Sequence, residues 1–152
     1  MEAEVQGYLK ELGILKEHIK EAIQSINAET ANWCPLSKGT NSIYAIVYHL
    51  LGSEEYWVVQ TIGGENVNRD REAEFRASGN PSMIMEHWEK QEGKSNNILS
   101  SLSLSQLGED RISNLTSKSV SYTVRGCILH VISHYATHLG HIQLTQQLWE
   151  QR

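Results

Sequence analysis

Cysteine is almost missing from this chain of 152 residues. Cys34 and Cys127 are the only two and form no CxxC pair, so neither a disulfide framework nor a cysteine-rich zinc site is expected. Long apolar runs are also lacking: IYAIVYHLL falls well short of the ~20 residues that cross a bilayer. The acidic, amphipathic start MEAEVQGYLKELG has none of the basic, apolar and cleavage regions of a secretory signal, so a cytoplasmic location is expected. There is no basic excess either. The 13 Lys and Arg are outnumbered by 18 Asp and Glu, for a net charge of -5, and they do not gather on one face. The electrostatic footprint of a nucleic-acid binder is therefore absent, and a small-molecule partner is expected instead.

What remains is ordinary in length and helical in pattern. A chain of this size buries roughly 70% of its unfolded surface as one domain, 1–152, and needs no cofactor merely to fold. Over residues 2–27, Val5, Tyr8, Leu12, Leu15, Ile19, Ala22 and Ile26 recur at spacings of three and four, the one-sided stripe of a bundle helix. A second helix is predicted over 42–62, capped by Asn41 or Ser42 and ended by Gly63-Gly64. A third, over 81–104, starts at Pro81 and is interrupted by Gln91, Gly93 and Ser95. The last runs from Thr123 to Trp149, roughly 40 Å at 1.5 Å per residue. Residues 28–40, 65–80 and 105–121 read as connections, the last two long enough to line a cleft. No strand series stands out. The expected fold is all-α, a four-helix bundle with long connections.

Four of the seven histidines sit in HVISHYATHLGH, residues 130–141. At about 100° per residue, His130, His134, His138 and His141 share an arc of roughly 80° beside the apolar face. Neutral imidazoles turned toward a core each cost on the order of 1 to 3 kcal/mol without a partner, so such a row calls for something to bind. His134 and His138, at i and i+4, have the spacing that lets two ring nitrogens meet on one ion. A strip of solvated histidines would show the same spacing. Tyr135 stands where the metalloprotease pattern requires Glu, which argues against peptide hydrolysis of that type. A third ligand has to come from another helix, and His49, beside the apolar stripe of the second, is the best placed. Glu54 falls at the centre of that stripe: it either orients a ligating imidazole, acts as a base on a bound water, or points to solvent. Arg69, Arg71 and Arg76 alternate with Asp70, Glu72 and Glu74 and read as a solvated segment that could also meet an anionic substrate. Cys127 lies on the histidine face as a small core residue or a neighbour of the ion. Metal affinity should fall as pH drops through roughly 6.5, where free imidazoles take up protons.

The stretches WCPLSKGTNSIYAIVYHLLGSEEYWVVQTIGG and HVISHYATHLGHIQL, together with the spacing between them, resemble the DinB-like family. Its bundle is similar to that of bacterial thiol S-transferases and of mycothiol-dependent maleylpyruvate isomerase. The resemblance covers almost the whole chain and is most specific at His49 and at the His-x-x-x-His-x-Gly run of His134, His138 and Gly140. It implies nickel or zinc held by His49, His134 and His138, a low-molecular-weight thiol as co-substrate, and a homodimer. The sequence departs from the family pattern at His141, where Gln is usual, and at Thr137, where a second histidine is common. His141 is accordingly either an acid-base or orienting group beside the ion or a surface residue. Two other functions remain open at this point: a non-catalytic metal-binding bundle and a dimeric interaction module.

Overall fold

The computed structural model describes all residues, 1–152. Its frame is four long helices: α1 (Ala3–Gln24), α3 (Ile43–Glu54, continued by a π-helical stretch Glu55–Ile62), α5 (Pro81–Ser100) and α7 (Val124–Glu150). Between them lie the short helices α2 (Ala28–Asn32), α4 (Arg71–Phe75) and α6 (Leu104–Leu107), and one antiparallel hairpin of β1 (Asp110–Ser113) and β2 (Val120–Thr123). The mostly helical bundle agrees with the sequence pattern. The hairpin corrects the reading of 105–121 as plain connection: its strands have only four residues each, too few for an alternation to show.

Local chemistry accounts for the helix limits. Ser42 caps α3 by accepting from the Ala45 amide, Asn80 caps α5 ahead of Pro81, and Thr123 ends β2 and caps α7 by accepting from the Gly126 amide. Gly64, at φ 75°, takes the left-handed conformation that closes the π-helical stretch. On α1, Val5, Leu12, Ile19 and Ile23 are buried against α7 and α5. α3 is the central helix, with ten of its twelve residues buried, so almost any polar side chain on it must find a partner inside the protein. On α5 the buried line runs Ile84, Trp88, Gln91, Ser95, Leu99. Gln91 and Ser95 thus belong to the stripe they were expected to interrupt, and the Gln91 side-chain amide donates to the Leu51 carbonyl at 2.8 Å.

A charged network crosses this core. The Lys16 ammonium on α1 donates to Glu54 Oε1 on α3 at 2.8 Å, and the Tyr135 hydroxyl on α7 donates to Glu54 Oε2 at 2.5 Å. All three residues are at most 2% exposed. Burial first, and then the Glu54 charge, raise the Tyr135 hydroxyl far above its usual range, so it stays protonated and donates. The network joins three helices through one carboxylate.

The π-helical stretch buries four residues in succession, Tyr56 to Val59, and so continues the central, enclosed course of α3. The Tyr56 hydroxyl meets Ser113 Oγ at 3.1 Å and accepts from the Asn114 amide, while the Trp57 ring packs edge-on to Tyr122 at 5.0 Å. Both contacts seat the hairpin beside α3 and α7, where the histidines are.

Candidate metal centre

His49 is only 5% exposed although it is polar, and each of its ring nitrogens has a neighbour. Its Nδ1 lies 2.8 Å from Glu74 Oε2 on α4. The same carboxylate accepts from Arg69 Nε at 2.7 Å and from Arg69 Nη2 at 3.0 Å. Burial alone would raise the Glu74 carboxyl, but the hydrogen bonds from His49 and Arg69 and the Arg69 charge hold it below its usual value. Glu74 is therefore an anion that accepts a hydrogen bond from His49 Nδ1, which turns Nε2 toward the site. Gly52 makes this approach possible, since a Cβ at that position would overlap the Glu74 carboxylate. Phe75 stacks on the imidazole with ring centroids 4.7 Å apart and limits its rotation.

The oriented Nε2 faces α7. It lies 3.1 Å from His134 Nε2, which in turn lies 3.1 Å from His138 Nε2. One nitrogen from each of His49, His134 and His138 falls within 4.8 Å of the other two. Burial first, and then the neighbouring imidazoles, push His134 down to about 3 and His138 down to about 4, so both are neutral near pH 7. A single N–H on His134 serves one neighbour well; the other contact is left lone pair against lone pair or N–H against N–H. A cation relieves that conflict, and two ligands each ~2.1 Å from one ion sit roughly 3.0 to 3.4 Å apart. The donor set of three imidazoles could hold a metal ion, imidazole being a borderline ligand.

The other expected residues take different places. His141 is exposed, with its Nδ1 3.3 Å from His138 Nδ1, so it touches the row from outside. His130 is exposed and packs on Trp57, ring centroids 4.5 Å apart. Cys127 is buried in the core, and burial pushes its thiol up to about 11, which suits a small core residue. Glu54 does not point to solvent, nor does it hydrogen-bond to an imidazole, because Lys16 and Tyr135 occupy its two oxygens. The orienting role belongs to Glu74 instead. Glu74 and Arg69 belong to a segment whose alternating charges point to solvent, yet Glu74 is 3% exposed and the Arg69 side chain 8%. The available signal was Asp70, whose side chain accepts from the Ala73 amide and starts a helix that turns Glu74 inward.

Two cavities adjoin the triad. One of about 300 Å³ lies toward the hairpin and is lined by His49, His134, Arg69, Arg71 and Tyr122, among others. The second, of about 560 Å³, lies toward the C-terminal half of α7 and reaches His138 and His141.

Among solved structures, the fold is similar to that of a conserved protein from Enterococcus faecalis, with a TM-score of 0.75, 14% identity, and coverage of 100% of this chain and 99% of the other. It is also similar to the colibactin self-resistance protein ClbS in complex with double-stranded DNA, with a TM-score of 0.68, 14% identity, and coverage of 94% and 95%. At that identity the likeness is one of fold. No curated protein matches the sequence. The family model for mycothiol-S-transferase matches residues 8–151, nearly the full length and both helices that carry the triad. This chain belongs to the mycothiol-S-transferase family.

Proposed function

We propose that this protein is a metal-dependent S-transferase that joins a low-molecular-weight thiol to an electrophilic small molecule, with nickel or zinc held by His49, His134 and His138. The observation that carries the reading is the convergence of three imidazole nitrogens from two helices beside open cavities. An ion bound there supplies a positive charge that favours the thiolate form of a sulfur placed beside it.

The chain's own residues account for the rest. Glu74 accepts a hydrogen bond from His49 Nδ1 and keeps the other nitrogen facing the site, while Arg69 keeps Glu74 ionised. His141 steadies His138 through their Nδ1 contact at the exposed edge of the row. Arg71 lines the cavity on the hairpin side and suits the carboxylate groups common to small cellular thiols. Glu54, with its two oxygens taken by Lys16 and Tyr135, is assigned to the core network.

The double-stranded DNA in the ClbS structure is a property of that protein. With a net charge of -5, the present chain is read as acting on small molecules. No helix is long and apolar enough to cross a membrane. A cytoplasmic homodimer belongs to the same proposal.

The test is to compare the wild type with His138→Ala. The wild type, loaded with nickel or zinc, should turn over an alkylating electrophile with mycothiol, bacillithiol or glutathione. The variant should bind the metal more than about 100-fold more weakly, beyond the loss caused by removing an outer partner of a ligand. Equal metal affinity in the two proteins removes the triad as the metal site. Absence of turnover with all three thiols removes the transferase reading.

A further inference from the structure

The two cavities beside the triad differ in chemistry. The hairpin-side cavity presents Arg69, Arg71, Ser113 and Tyr122 next to His49 and His134. The second lies between the connection after α2, the start of α3 and the last turns of α7, with walls that include Trp33, Leu36, Ile46, Leu144 and Leu148. His138 and His141 line it as well, on the side of the triad. On α7, His138, His141 and Leu148 follow one another at spacings of three and seven, so one helix face runs from the triad into this cavity.

Three observations say what it holds. Its volume of about 560 Å³ falls in the range of small-molecule sites, roughly 300 to 1,000 Å³. Its rim keeps Leu36, Leu144 and Leu148 at 63%, 53% and 43% exposed, apolar surface that a ligand would cover. Trp33, braced edge-on by Trp149 at 5.6 Å, offers a fixed aromatic wall for a flat ring.

We infer that this cavity is the acceptor subsite and takes a flat, apolar electrophile, such as a benzylic halide, with its reactive carbon at the His138 end. The inference rests on the thiol-transfer reading and assigns each cavity its own co-substrate. The polar thiol lies on the hairpin side and the apolar acceptor on the α7 side, so the sulfur and the carbon meet at the triad. A sulfur lone pair forms the S–C bond as the carbon–halogen bond breaks. The halide leaves with the bonding pair, and the thiol's proton passes to solvent.

The test uses nickel- or zinc-loaded protein and two ligands: 4-nitrobenzyl chloride, and its unreactive analogue 4-nitrotoluene, whose binding is read by tryptophan fluorescence quenching. Leu144→Arg places a charge on the cavity wall at an exposed position and should weaken 4-nitrotoluene binding by about ten-fold or more. It should raise the KM for 4-nitrobenzyl chloride by a similar factor and leave the KM for the thiol unchanged. Leu36→Asp, from the opposite wall and outside every helix, should act in the same direction and answers the question if Leu144→Arg fails to fold. Unchanged 4-nitrotoluene binding in both variants overturns the proposal. So does a wild type that does not bind 4-nitrotoluene at all. If this face seats a second copy instead, Leu144→Arg shifts the sedimenting species toward monomer with 4-nitrotoluene binding intact, which again overturns it. If 4-nitrotoluene binding is lost in the variants but the wild type turns over with no thiol, the apolar site stands and the thiol-transfer reading falls.

Discussion

Glu54, on α3, and Glu74, on α4, are both buried carboxylates in contact with cations. The oxygens of Glu54 are taken by Lys16 and Tyr135, and the network ends inside the core. Glu74 is held as firmly, by Arg69 and His49, but its chain of contacts continues through the His49 ring to a nitrogen that faces two further imidazoles. Burial and ion pairing are nearly the same in the two clusters. What separates a structural network from a candidate site is whether the chain of hydrogen bonds closes on the protein's own groups or stops at lone pairs.

The largest effect that separates them is on stability. Glu54→Ala leaves the Lys16 ammonium buried without its carboxylate and should cost about 3 to 5 kcal/mol. Metal affinity of the molecules that remain folded should not change. Denaturant melts and titration calorimetry on the same sample check both halves, and a weakened metal site in a folded variant would show that the two clusters are coupled.

The three imidazoles of the open cluster were legible in the sequence, whereas the carboxylate behind them was not, and the closed network was legible only on its Glu54 side. Lys16 sits one turn after Leu12 and three residues before Ile19, on the apolar stripe of α1, and Glu54 lies on the stripe of α3. Glu54 is legible as a carboxylate on an apolar stripe, but its partner Lys16 is not, because a lone lysine on an amphipathic helix also reads as one whose stem reaches out to solvent. His49, His134 and His138 were legible because helical spacing alone puts the last two on one face. Glu74 was not, because its partner is 25 residues away and its own segment alternates acid and base, a pattern that says solvent. The two cavities were also hidden, since they depend on where the hairpin and the loop after α2 come to rest.

A smaller effect belongs to the open cluster. Glu74→Gln keeps the size of the side chain but weakens the acceptor for His49 Nδ1, so the ring loses its preferred tautomer and some of its orientation. Loss of such a partner typically costs 10- to 100-fold in metal affinity, so nickel or zinc should bind about that much more weakly. The fold should survive, in contrast to Glu54→Ala. Gly52→Ala should act in the same direction, since its new Cβ displaces the same carboxylate. Unchanged affinity in both variants would mean that His49 is oriented by its packing against Phe75 alone.

The smallest effect is the dependence on pH, and it too distinguishes the clusters. In the folded, metal-free protein, His134 is held down to about 3 and His138 to about 4, against roughly 6.5 in the unfolded chain. Between these values the unfolded chain binds more protons than the folded one, so stability is full above about 6.5 and is lost as pH falls toward 4 and then 3. His134→Ala should flatten that slope, while Glu54→Ala should act chiefly by lowering the whole curve. The same lowered values revise the expectation that metal affinity fails at 6.5. Protons must first reach imidazoles that resist them, so binding to the folded protein should persist to lower pH than free histidine allows. Affinities measured at pH 7 and pH 5.5 on wild type that is still folded should then differ less than protonation of three free imidazoles would require; a full loss by pH 5.5 would mean that the rings titrate as if in water and that the open cluster is not buried enough to hold its lone pairs ready.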